Sequence, residues 1–162
     1  MAKEMVAGTR SQICTWSTII ILVNRMKAYI SISFNKIHSL RKVLNCISAA
    51  VEAHDIVPFI FCDHYIFDAS KEQEMMQQAF ADIDQCDLLI AEVSDKAIGI
   101  GVEAGYAKGK NKPVLYLRQK DSEHSTTLSG ISDHRIIYES IPDLELQLDD
   151  CIKKILPELQ RG

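Results

Sequence analysis

Hydrophobic and polar positions alternate in blocks along most of this chain, and the period of each block predicts an element. Lys27 to Phe34 (KAYISISF) alternates apolar with small or polar residues, the period of a strand. Ile37, Leu40, Val43, Leu44, Ile47 and Val51 then recur at helical spacing and predict one buried stripe, with Asn35 as its cap. Ile56 to Cys62 (IVPFIFC) reads as a second strand, with Pro58 near its tolerant start. Ser70 followed by Gln73 predicts a capping box opening a helix to about Gln85, whose apolar face carries Met75, Met76, Ala79, Phe80 and Ile83. The Met pair there reads as core packing rather than as part of a cofactor box.

The continuous apolar run within Asp87 to Val93 predicts a third strand buried on both faces. A short loop with Gly99 and Gly101 leads into a helix over 101–110, and Lys112 to Leu117 (KPVLYL) forms a fourth strand. The polar stretch Arg118 to Ser132 reads as a functional loop, Arg135 to Tyr138 as a short fifth strand, and Asp143 to Leu156 as a closing helix. This order implies an α/β three-layer sandwich, Rossmann-like or flavodoxin-like. Its five-stranded parallel sheet would have helices on both faces and strand order 2-1-3-4-5.

Composition narrows the function. With 162 residues, 47% hydrophobic and 25% charged, the chain suits one globular domain over 26–162. A net charge of -4 without a basic stripe argues against a nucleic-acid polymer as partner. Five scattered cysteines without a CxxC, and five dispersed histidines, argue against a metal site or disulfide framework and suggest a reduced, cytoplasmic setting. Residues 1–25 hold the apolar run Thr18 to Val23, too short for a bilayer span of roughly 20 residues. They read as an extension outside the core, upstream of a natural start at Met26, and no membrane partner is expected.

The chemistry centres on Glu103. In an open α/β sheet ligands bind at the carboxyl ends of the strands, where the third strand hands over to its helix. Two readings stand. A carboxylate at the helix start is held ionised by the macrodipole and serves as nucleophile or base, or it only stabilises the helix.

The segment Ala91 to Gly105, AEVSDKAIGIGVEAG, resembles the AEVS/T-x-P-S-x-G-x-G-x-E-x-G signature of the nucleoside 2-deoxyribosyltransferase family, which includes the 2'-deoxynucleoside 5'-phosphate N-hydrolases. The resemblance runs from Met26 to Leu156, with Tyr29, the pair Asp63-His64, KPVLYL and Ser129-Gly130 in support. It implies cleavage of the N-glycosidic bond of a deoxynucleoside or its 5'-monophosphate, with no cofactor. Glu103 would be the nucleophile that forms a covalent deoxyribosyl intermediate, and Tyr29 would orient it. Asp63 and His64 would meet the leaving base. Ser33, the backbone N–H groups at Gly99 to Gly101 and the hydroxyls of Ser125 to Ser129 would cradle a phosphate. A serine borrowed from a neighbouring subunit would make the protein a homodimer or higher homo-oligomer with shared active sites.

The sequence departs from the family pattern at two places. The signature serine is Ala97, preceded by Lys96, whose charge is the substitute on offer. The acidic residue on the preceding helix is Ala79, with Asp82 one turn on as its stand-in. Tyr29 as core packing and His64 as a plain loop residue remain open. The C-terminus LPELQRG lacks the terminal aromatic arrangement of some transferases, which favours hydrolysis over base exchange. A non-catalytic nucleotide sensor and a TIR-like NAD-cleaving domain are the other classes in play.

Overall fold

The computed structural model describes residues 25–160, so the expectation for 1–24 lies outside the described residues. Five strands, β1 (Lys27–Ser31), β2 (Val57–Ile60), β3 (Leu88–Glu92), β4 (Val114–Gln119) and β5 (His134–Tyr138), form one sheet. All pairs are parallel and the order is β2-β1-β3-β4-β5, the expected 2-1-3-4-5. The helices are α1 (Arg41–Glu52), the single turn α2 (Phe61–His64), α3 (Glu72–Asp84), α4 (Ile98–Gly109), α5 (Thr126–Ile131) and α6 (Ile141–Leu159).

Alternation along the strands divides the core in two. Ile30, Ile90, Leu115 and Leu117 point to one face, where Leu44, Ile47 and Val51 of α1 and Leu144, Leu148 and Ile152 of α6 cover them. Tyr29, Leu89, Ala91, Val114 and Tyr116 point to the other, under Ile83 of α3 and Ile100, Ala104 and Ala107 of α4. β3 is buried at all five positions, as its unbroken apolar run requires in a central parallel strand.

Several boundaries differ from the sequence reading. β1 ends at Ser31, and a 3-10 turn over Phe34–Lys36 precedes α1, which has no side-chain cap; Asn35 caps nothing. β2 stops at Ile60 because Phe61–His64 coils into α2. Asp68, not Ser70, is the capping residue here: it caps the 3-10 turn Ala69–Lys71 that precedes α3, its side chain accepting from the Ser70 N–H at 2.9 Å. Its short carboxylate reaches the backbone two residues on, as Asx turns do. The polar 118–132 stretch contains α5. α4 starts three residues early, which places Gly99 and Gly101 inside its first turns and not in a loop. The Asp143 N–H donates to the Ser140 hydroxyl and the Asp143 carboxylate accepts from the Glu139 N–H; with Pro142 in the first turn, this extends α6 backwards to Ile141.

Candidate active site

β1 presents Tyr29 and Ser31, two positions apart, to the same face of the sheet, directly under α4. Tyr29 is fully buried and its hydroxyl donates to Glu103 Oε1 at 3.0 Å. Ser31, 2% exposed, donates through Oγ to Glu103 Oε2. Both carboxylate oxygens are therefore fixed by the neighbouring strand. The Tyr29 ring is wedged against Phe59 at 5.7 Å and Phe61 at 6.4 Å, so its hydroxyl has little freedom.

Glu103 opens onto a cavity of about 330 Å³. Ser33 and Asn35 after β1, Cys62 and Tyr65 around α2, and Gly99 at the start of α4 complete its polar side. Phe61, Phe67, Met75 and Met76 form the apolar side. The methionines are half-buried on the cavity wall, not in the core. α4 has no side-chain cap, so the N–H groups of its first turn have no protein acceptor there.

Burial raises the Glu103 pKa above the ordinary carboxylate value, and the bonds from Ser31 and Tyr29 pull it partly back. The expectation that the macrodipole holds it ionised is corrected: Glu103 lies in the second turn of α4, and that effect fades within the first. Its two hydroxyl donors are what favour the charged form. Burial and the same carboxylate push the Cys62 thiol up to about 11, which keeps it protonated. The Tyr29 hydroxyl is raised by burial and by Glu103 and stays a donor.

The remaining candidates fall in different places. Ser33 and Gly99 line the Glu103 cavity. Lys96, Gly101 and Ser125 line a second cavity of about 280 Å³ across the start of α4, with Ala97 and Ile100 common to both. Lys96 pairs with Glu123 at 2.5 Å. Ser129 lines neither cavity; its carbonyl accepts from Arg135 at 2.7 and 3.0 Å.

Asp63 and His64 are corrected outright, since neither reaches the cavity. Asp63 makes a two-pronged pair with Arg41 at 2.8 and 2.9 Å, which holds its carboxyl below the ordinary range. His64 stacks on Phe59 at 4.4 Å with Nδ1 bound to the Ile60 carbonyl. The helical turn of α2 rotates both away. Asp82 is buried behind the wall, bound by Gln78 Nε2 at 3.2 Å and by the Tyr65 hydroxyl at 3.5 Å. It supports Tyr65 and does not contact Glu103.

Comparison with known proteins assigns the chain to a family. The nucleoside 2-deoxyribosyltransferase family profile matches residues 31–151, three-quarters of the chain. The chain belongs to that family. A relative from Syntrophotalea carbinolica, named "Putative 2'-deoxynucleoside 5'-phosphate N-hydrolase 1", is 34% identical over 73 residues. That match spans 43% of this chain and 51% of the relative, about half its length. A CMP N-glycosidase from Clostridium botulinum shares the fold at a TM-score of 0.57 and 18% identity, over 76% of this chain and 98% of its own. A 2-deoxyribosyltransferase from Bacillus psychrosaccharolyticus does so at 0.59 and 14%, over 75% and 95%.

Sequence reasoning missed Ser31, which binds Glu103, and Cys62 and Tyr65, which line its cavity. Ser31 was findable, because it lies two residues beyond Tyr29 on the same strand face. Among the described residues no group of three acidic, His or Cys side chains could hold a metal, and no helix is long and apolar enough to cross a membrane.

Proposed function

We propose that the chain hydrolyses the N-glycosidic bond of a 2'-deoxynucleoside 5'-monophosphate through a covalent intermediate on Glu103. The observation that carries this is the Glu103 carboxylate, fixed by Tyr29 and Ser31 at the edge of a nucleotide-sized cavity. A carboxylate so held attacks the anomeric carbon as the base departs, and water then cleaves the sugar ester. Tyr29 and Ser31 position it and, by bonding to the charged form, supply the ionised fraction that burial withholds.

Ser33, 2% exposed with no capping bond, and the uncapped first turn of α4 line the same cavity and fit a 5'-phosphate. Phe34, Ile66 and Ile98, which line the two cavities, are exposed. That apolar rim suits a second copy of the chain in a homodimer whose 125–129 hydroxyls complete the site. The setting would be cytoplasmic.

Base exchange is the second reading, favoured by the family match, and it shares the intermediate. Incubating the protein with a panel of deoxynucleotides, with and without free base, separates the two. Released base and a deoxyribosyl-phosphate adduct on Glu103 by mass spectrometry are expected. Exchange only in the presence of free base would make it a transferase. Nicotinamide release from NAD, or no product with folded protein, would overturn both.

A further inference from the structure

We infer that the cavity acts on deoxynucleotides whose base leaves as a stabilised anion, uracil-type bases with electron-withdrawing substituents foremost. This rests on the N-glycosidase reading above and specifies its substrate class. When Glu103 attacks, the C1'–Oε bond forms, the C1'–N bond breaks, and the bonding pair goes to the base nitrogen. That pair must be met by a proton from an acid on the wall, or be spread over the base itself.

Among the described residues, the wall away from Glu103 offers no such acid. Phe61 and Phe67 lie within 8° of parallel at 5.9 Å, Tyr65 sits 5.0 Å from Phe61, and Met75 and Met76 face them. Ala79, 1% exposed, contributes a methyl group to the lining. The nearest carboxylate on that helix, Asp82, is turned behind the wall, with both oxygens 3.2 Å from Gln78 Nε2 and Oδ1 toward the Tyr65 hydroxyl. Burial and the nearby Asp82 carboxylate raise the Tyr65 pKa, so its hydroxyl is a poor acid for a leaving base. Cys62 is too weak an acid to substitute. Glu103 must be anionic to attack and cannot serve both ends of the bond.

A uracil-type N1 anion is delocalised over two carbonyl groups, and a halogen at C5 stabilises it further. Cytosine and adenine carry electron-donating amino groups and leave slowly unless protonated. Aromatic and thioether surfaces bind the face of any base without reading its edge, so discrimination falls to the chemical step. The base anion then takes its proton from water, and hydrolysis of the ester returns a proton, which closes the balance.

The test is single-turnover base release from the 5'-monophosphates of 5-fluoro-deoxyuridine, deoxyuridine, thymidine, deoxycytidine and deoxyadenosine. Wild type should slow roughly three- to tenfold for each unit rise in the pKa of the free base, and Ala79→Glu should flatten that dependence and speed deoxycytidine monophosphate most. A flat wild-type series overturns the inference while leaving the N-glycosidase reading intact. It would mean that an acid reaches the base from elsewhere, a second subunit included. Absence of base release from every substrate overturns both. The wild-type series decides even if Ala79→Glu fails to fold.

Discussion

Replacing Tyr29 by Phe isolates one hydrogen bond at the centre of the site. The ring keeps its contacts with Phe59 and Phe61, so only the hydroxyl that donates to Glu103 Oε1 is lost. A hydrogen bond to a charged group is worth about 1.5–3 kcal/mol, or roughly a 10- to 150-fold change in an equilibrium. That bond favours the ionised carboxylate against burial, which raises its pKa. In wild type the acid limb of kcat/KM should therefore lie above the ordinary carboxylate value. In Tyr29→Phe it should move to higher pH still. Below the limb the variant should lose roughly tenfold or more in base release, and above it most of the activity should return. Urea unfolding at low pH, where Glu103 is protonated in both proteins, should change by under about 1 kcal/mol. An acid limb that stays in place, or a loss equal at every pH, would refute the reasoning that the hydroxyl acts through the charge of Glu103.

Other outcomes follow from the same geometry. Glu103→Gln should abolish base release, by a factor on the order of 10⁶ for a true nucleophile, with thermal stability at neutral pH unchanged or raised. Leu44→Ala, at a fully buried position in α1, should cost about 2–5 kcal/mol in chemical denaturation, and a smaller loss would contradict its placement in the core. Glu92 is fully buried, accepts from Tyr138 at 2.9 Å and from Ser94, and has its pKa raised by burial. Its ionisation therefore opposes folding: stability should fall as pH rises from the ordinary carboxylate value through the raised one. Glu92→Gln should flatten that slope in urea titrations at several pH values.

The strand order and the place of Glu103 were legible because buried parallel strands are apolar runs and the amphipathic helices show their period. Legibility stopped where strands leave the ladder. Phe61 continues the apolar run of β2, yet it belongs to a cavity wall, and apolar patterning reports burial without saying against what. The same ambiguity sent Met75 and Met76 to the core. Asp63 and His64 have residue types suited to proton transfer, but the turn of α2, set by packing, aims them elsewhere. Gly99 and Gly101 read as loop, although a helix start tolerates them; a Cβ at either would meet nothing within 4 Å.

The two donors to Glu103 come from β1, 74 and 72 residues away in the chain, not from the helix that carries it. Everything that shapes the base end of the cavity, from Phe61 to Met76, lies in the stretch between them. Apart from Phe61, which packs on the Tyr29 ring, that stretch makes no contact with the carboxylate or its donors, whose backbone is held by β1–β3 pairing and by α4 packed over β1. On the proposed reading, sequence change in that stretch would retune which nucleobase is accepted while Glu103, Tyr29 and Ser31 stay constant, one scaffold serving many diets.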